Sequence, residues 1–235
     1  MWTDGREEAA TGYWQTGYVG RQRERELLAA LIGAALAGRG QAVLLAGEPG
    51  IGKTRLGEET AAMAAATGMS CLWGRATDEE GSPLYWPFRQ VLRGLDSATL
   101  VRAAAEVALV APEVGAGPGG APGDRRPAAG DGSGAGGELR FQAFEAVTSV
   151  LTAAAEPGGL LVVLDDLQWA DPASLRLLVH LSRGLADARL LVLATYRDTE
   201  TGGRDALRQT LAALAREAAV TRLRLRGLTE REVAS

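Results

Sequence analysis

The sequence predicts an α/β fold in which helices cover both faces of a mainly parallel sheet, a three-layer α/β/α arrangement. Short unbroken apolar runs, Ala42 to Ala46 and Leu160 to Leu164, have the character of strands buried on both faces. Helical stretches alternate with them, as in a sheet built from parallel crossovers. Between the first run and an Ala-rich helical stretch stands Gly47-Glu48-Pro49-Gly50-Ile51-Gly52-Lys53-Thr54, a complete phosphate-binding loop pattern. The fold class that follows is that of the P-loop NTPases.

The elements follow in order. Gln22 to Leu36 places Leu27, Leu28, Leu31, Ile32 and Ala35 on one helical face, and Gly38-Arg39-Gly40 ends that helix. Strand, phosphate loop and a helix to about Thr67 come next, then a second strand over Met69 to Trp73. Glu80 to Trp86 reads as a loop, Pro87 to Leu95 as a helix with Pro in its first turn, and Leu100 to Val110 as a further short helix. From Pro112 to Gly137 the chain is almost entirely Gly, Ala and Pro, too poor in apolar bulk to offset ordering, and is expected to be a disordered insertion.

Order is expected to resume at Glu138, with Phe141, Phe144, Val147 and Leu151 at helical spacing, until Pro157-Gly158-Gly159 breaks the helix before the Leu160 to Leu164 strand. Asp171-Pro172 supplies an N-cap and first helical residue for Ala173 to Leu185. Leu190 to Thr195 is the next strand, a helix carrying Leu207, Leu211 and Leu214 follows, and Val220 to Leu225 alternates Leu with Arg as a last strand. Thr229-Glu230-Arg231-Glu232 has the capping-box pattern of a helix start, so the chain is expected to be a fragment or a truncated product. The divisions are a tail over 1–16, an ATPase domain over 17–228 with the insertion at about 112–137, and the start of a following segment over 229–235.

Composition narrows the function classes. The net charge of -4 over 235 residues predicts no strong non-specific attraction to nucleic acid, and the single cysteine, Cys71, supports neither a disulfide framework nor a cysteine metal cluster. No run has the length of a membrane span and Met1 to Gly17 lacks the pattern of a signal peptide, so no membrane partner and a cytoplasmic location are expected.

The loop explains its own residue types. Gly47, Gly50 and Gly52 lack a Cβ and can turn successive N–H groups inward, Pro49 stiffens the turn, and the helix opening near Lys53 adds its positive end. Lys53 reaches the β- and γ-phosphates of ATP and the Thr54 hydroxyl ligates Mg2+. Asp165-Asp166 at the end of the Leu160 to Leu164 strand fits the rest of a magnesium site, with Asp165 on the metal side through a water and Asp166 orienting the attacking water. Asp171 reads as a helix cap rather than a ligand, Trp169 as cover for the core edge, and His180 as a surface or core residue. Arg222, Arg224 and Arg226 read as a solvated strand face.

With these residues in place the chain resembles the ATPase module of large ATP-binding LuxR-type transcriptional regulators, in the signal-transducing (STAND) branch of AAA+-like P-loop ATPases. The resemblance runs from Val19-Gly20-Arg21-Gln22-Arg23-Glu24 through Gly47-Glu48-Pro49-Gly50-Ile51-Gly52-Lys53-Thr54-Arg55-Leu56 and Leu164-Asp165-Asp166-Leu167-Gln168-Trp169-Ala170-Asp171 to Thr195-Tyr196-Arg197-Asp198. It implies that Val19-Gly20-Arg21 lies against the adenine, that Asp165 serves magnesium and that Arg197 senses the terminal phosphate. The candidate catalytic set is thus Asp166, Lys53 and Arg197. The nucleotide-binding set is Val19, Gly20, Arg21, Gly47 to Lys53, Thr54 and Arg55, and the Mg2+ set is Thr54 and Asp165.

The expected function is an ATP-binding regulatory switch with slow hydrolysis, whose partners are ATP and ADP. DNA would be reached only through a downstream domain outside this chain, and nucleotide-dependent self-association is a further expected property. The alternatives are the ATPase module of another signalling protein, such as a cyclase-associated ATPase, and a stand-alone P-loop ATPase or kinase. For Arg197 the alternative is a surface arginine paired with Asp198 or Glu200.

Overall fold

In the computed structural model each inner strand divides its side chains between two separate cores, as the period of two along a strand demands. Ala42, Leu44 and Ala46 of β1 (Gln41–Gly47) join one buried cluster, while Val43 and Leu45 join the other. The same division holds in β3 (Leu160–Asp165) and β4 (Leu190–Arg197): Val162, Leu164, Val192 and Ala194 face one side and Leu161, Val163, Leu191 and Leu193 the other. A strand wet on neither face needs no polar alternation, which is why these runs are continuously apolar. The structure describes residues 20–96, 98–99, 108, 110, 135–198 and 205–228.

Five parallel strands form the sheet in the order β2-β3-β4-β1-β5, with β2 at Ser70–Arg75 and β5 at Val220–Arg224. Helices α1 (Gln22–Leu36) and α2 (Lys53–Ala66) cover one face, burying Leu28, Leu31, Ile32, Leu56 and Ala64. The opposite face is covered by α3 (Trp86–Arg93), α4 (Ala135–Ala154), α5 (Pro172–Arg183) and α6 (Asp205–Leu214), which bury among others Phe88, Val147, Leu151, Leu178 and Leu207. Each such fully buried side chain contributes about 1.5 to 3 kcal/mol. The three-layer α/β/α expectation and the parallel sheet are what the structure shows. Among the described residues no helix is long and apolar enough to cross a membrane.

Several local expectations shift. Strand β2 runs on to Arg75 rather than stopping at Trp73, because Gly74 and Arg75 stay paired with Leu164 and Asp165. Helix α4 begins at Ala135, inside the stretch read as insertion. In α4, Phe144, Val147 and Leu151 are buried as the spacing predicts, but Phe141 stands 56% exposed, its ring edge-on to His180. His180 Nε2 lies 2.8 Å from Glu145 Oε1, so the histidine joins α5 to α4. Asp171 caps α5, its Oδ1 accepting from the Ala173 and Ser174 amides at 3.0 Å, and its Oδ2 also accepts the Tyr85 amide at 3.1 Å. The cap therefore ties the start of α5 to the start of α3. The tail over 1–16, the Leu100 to Val110 helix apart from two residues, most of the 112–137 insertion and the 229–235 segment lie outside the described residues.

Candidate functional site

Parallel sheets place their ligands outside the carboxyl ends of the strands. Here β1, β2, β3 and β4 all end in chemistry, and their register brings those ends level. Gly47 pairs with Arg197, and Arg75 pairs with Asp165.

The phosphate loop leaves β1 at Gly47 and enters α2 at Lys53. Gly50 (φ 74°) and Gly52 (φ 97°) take left-handed backbone conformations that side-chain-bearing residues resist, as expected. Gly47 is glycine for a different reason: a Cβ there would meet Ile51 Cγ2 at 2.9 Å and Leu225 Cβ at 3.3 Å, so close packing is the constraint. Glu48, Pro49 and Gly50 are exposed, whereas Lys53 is 7% exposed and donates from Nζ to the carbonyls of Gly47 (3.0 Å) and Glu48 (2.9 Å). Its ammonium is thereby already held over the loop. Burial lowers the Lys53 pKa below its ordinary value; Asp166 opposes that shift and Arg197 adds to it, which places both groups within electrostatic reach of the loop lysine.

On the other side, Asp165 is 1% exposed at the end of β3. Thr54 Oγ1 lies 3.1 Å and 3.3 Å from its two carboxylate oxygens, and the Thr195 hydroxyl donates to Oδ1 at 2.6 Å. The same Thr195 oxygen accepts the Asp166 amide at 2.9 Å. A hydroxyl from the loop helix and a buried carboxylate, all oxygen, form the donor set that a hard cation such as Mg2+ takes when phosphates and waters complete its shell. The residues present fit Mg-ATP: the loop's backbone has the open glycine geometry and the Thr54–Asp165 pair stands at its mouth.

Asp166 sits in a left-handed conformation (φ 61°, ψ 45°), one that Asp tolerates better than most residues, and begins the 3-10 turn Leu167–Trp169. Its Oδ2 accepts from Arg75 Nη2 at 2.8 Å and Nε at 3.1 Å, and its Oδ1 from Gln168 Nε2 at 2.8 Å. Burial alone would raise its pKa, but the hydrogen bonds from Arg75 and Gln168 outweigh burial and hold the carboxyl below its ordinary value. Asp166 is therefore a carboxylate at neutral pH. Arg197 closes β4 with its guanidinium carbon 6.0 Å from the Trp169 ring centroid, while Gln168 Oε1 accepts its amide at 3.1 Å. The neighbouring Asp198 carboxylate accepts Arg224 Nε at 2.9 Å, across from β5; Glu200 lies outside the described residues.

The remaining expected contacts are placed as follows. Arg21, 5% exposed, donates through Nη2 to the Ile51 carbonyl at 2.7 Å and faces Glu24 at 3.6 Å, so Gly20-Arg21 lies directly against the phosphate loop. Val19 lies outside the described residues. Arg55 is in the first turn of α2, 3.2 Å from Glu58. Arg222, Arg224 and Arg226 are exposed, as a solvated strand face should be.

Sequence reasoning assigned no role to Arg75, Gln168 or Thr195. The signal for Arg75 was its position at the carboxyl end of a strand, concealed once β2 is read as ending at Trp73. Thr195 stood at a strand end, but its inward direction depends on strand parity. For Gln168 the sequence offered only a polar residue between Leu167 and Trp169, and its 1% exposure is a tertiary fact.

Among solved structures the chain is similar to one in Drosophila ORC bound to GC-rich DNA and Cdc6, at 11% identity and a TM-score of 0.45, with 91% of this chain and 59% of that chain covered. It is similar also to a Pyrococcus horikoshii signal transduction ATPase with numerous domains that carries a tetratricopeptide repeat sensor, at 18% identity and a TM-score of 0.42, covering 92% and 24% of the two chains. C. elegans PCH-2 gives 16% identity and a TM-score of 0.42, covering 88% and 43%. The chain thus spans less than two thirds of the length of each of these three. No curated protein matches it. A family model described as AAA ATPase domain matches residues 18–193, a span that takes in the phosphate loop, Asp165, Asp166 and Gln168. The chain belongs to the AAA ATPase domain family.

Proposed function

We propose that this chain is an ATP-binding regulatory switch module, the ATPase part of a LuxR-type transcriptional regulator, and that it hydrolyses ATP slowly. The observation that carries the reading is the convergence of Lys53, Thr54, Asp165, Asp166 and Arg197 at adjoining strand ends, with Thr54 bonded to the buried Asp165. Mg2+, when bound with ATP, would supply charge neutralisation at the phosphates. Thr54 and Asp165 would hold the metal, Lys53 and the loop amides hold the phosphates, and Gly20-Arg21 lies toward the adenine. Asp166 orients the water. Arg197 distinguishes ATP from ADP, since only ATP presents γ-phosphate oxygens to a guanidinium. The LuxR assignment rests on the resemblance of the four sequence segments. Nucleotide-dependent self-association belongs to the proposal, as do DNA contact made only through a downstream domain and a cytoplasmic location.

The test is titration calorimetry of Arg197→Ala with Mg-ATP and Mg-ADP. ATP affinity should fall by about tenfold or more, as loss of a charge-assisted contact implies, with ADP affinity little changed. Equal losses for both nucleotides would remove the sensor and with it the switch.

One observation favours a second reading, phosphoryl transfer to a small molecule. A cleft of about 480 Å³ opens beside Asp166, walled by Arg75, Trp86, Gln90, Trp169 and Arg197, where an acceptor could approach the γ-phosphate. Release of free phosphate at the rate of ADP formation, with no acceptor present, separates the ATPase from the kinase.

A further inference from the structure

Two hydrogen bonds of Gln168 run in opposite directions, and chemistry permits only one orientation of its amide. The Arg197 backbone N–H can only donate, so the side-chain oxygen must face it; ionised Asp166 can only accept, so the side-chain nitrogen must face that carboxylate. At 1% exposure no solvent competes for either bond. The two contacts join residues that lie on different strands, at the end of β3 and the end of β4, through one rigid planar group.

The other partners of the acid pair do something else. Thr195 bonds Asp165 and the Asp166 backbone, fixing the metal-side carboxylate to the strand. Arg75 reaches Asp166 Oδ2 from β2, on a side chain 64% exposed that can withdraw into the cleft. Gln168 bonds both the Asp166 carboxylate and the backbone of the residue proposed to read the γ-phosphate.

We propose that Gln168 is a positioning residue that couples the backbone of Arg197 to the Asp166 carboxylate, so that engagement of the γ-phosphate at the β4 end aims the group that orients the attacking water. This inference rests on the proposed ATPase switch and adds the path by which its reader and its water-orienting acid act together. Displacement of Arg197 on phosphate contact moves its N–H. The Gln168 amide follows, and Asp166 Oδ1 moves with it. A misplacement on the order of 1 Å at a reacting group costs about 100-fold in rate, so a short rigid link suffices to make hydrolysis depend on the reader.

The experiment uses the full chain with Gln168→Met, which keeps side-chain length and removes both bonds. Two quantities are read: single-turnover hydrolysis with Mg-ATP affinity, and the Arg197 amide resonance with and without Asp166→Asn. Asp166→Asn should shift that resonance in the Gln168 chain and leave it in place in the Gln168→Met chain; hydrolysis should fall about 10- to 100-fold with affinity held within about twofold. An Arg197 resonance that responds equally in both backgrounds overturns the coupling, as does a hydrolysis loss no larger than the loss of affinity. A chain that binds Mg-ATP without turnover but keeps the resonance response refutes the ATPase reading and supports the coupling.

Should Gln168→Met fail to fold, Gln168→Glu keeps an oxygen for the Arg197 N–H and removes the N–H given to Asp166 Oδ1. Single-turnover hydrolysis should fall about 10- to 100-fold with Mg-ATP affinity held within about twofold. Unchanged hydrolysis in this variant overturns the coupling.

Discussion

Replacing Thr195 by valine should destabilise the domain more than replacing it by serine, although valine is the better match in shape. The Thr195 hydroxyl is wholly buried, donates to Asp165 Oδ1 at 2.6 Å and accepts the Asp166 amide at 2.9 Å. A hydrogen bond to a buried carboxylate is worth about 1.5 to 3 kcal/mol, and an amide left without its partner costs about 1 kcal/mol or more. Asp166 is half-buried, so the lower end applies to its N–H, and the sum for Thr195→Val is about 3 kcal/mol. Thr195→Ser keeps both bonds and loses one buried methyl, about 1 kcal/mol. For a domain of this size 1 kcal/mol corresponds to about 2 to 4 °C in Tm, which makes the expected shifts about 6 to 12 °C for valine and about 2 to 4 °C for serine. Urea unfolding of the nucleotide-free protein measures the energies and a thermal scan the midpoints. A valine variant as stable as the serine variant would refute the assignment, because it would mean that the buried hydroxyl is a packing atom and that Asp165 is held by other groups.

Lys53→Ala should weaken Mg-ATP binding by about 2 to 3 kcal/mol, measured by calorimetry, since it deletes the one cationic side chain of the phosphate loop. Arg75→Ala leaves burial of Asp166 less opposed and so should raise its pKa, moving the acid limb of hydrolysis to higher pH. The sign for stability follows: a depressed carboxyl stabilises the fold above its ordinary range and loses that contribution as pH falls through the folded value, so urea unfolding of Arg75→Ala should show a shallower acid dependence than the parent. Gly74→Ala should destabilise by about 3 kcal/mol or prevent folding, because a Cβ at that point of β2 would lie 2.0 Å from the Pro87 carbonyl oxygen at the start of α3. A thermal midpoint for Gly74→Ala within about 2 °C of the parent would show that α3 can move off the sheet.

Local patterns in the chain were enough to determine the layers and the loop. Continuous apolar runs mean strands wet on neither face, and the spacing of Gly50, Gly52, Lys53 and Thr54 dictates a turn of inward-pointing amides followed by a helix start. Asp171-Pro172 was legible as a cap for the same reason, since capping is a contact over two or three residues. What lay beyond reach were contacts across strands. The sheet order sets β3 between β2 and β4, and only that adjacency brings Arg75 to Asp166 over 91 residues and Thr195 to Asp165 over 30. Gln168 lies two residues from Asp166 in sequence, yet its second bond, to Arg197, spans 29 residues and exists because β4 lies beside β3. The sequence by itself thus determined where the phosphate-loop pattern and the pair of acids stand, because both depend on residue type and local turn geometry. The tertiary structure alone decided which side chains hold the two acids in place, because the partner of a buried polar group is chosen by strand order and register.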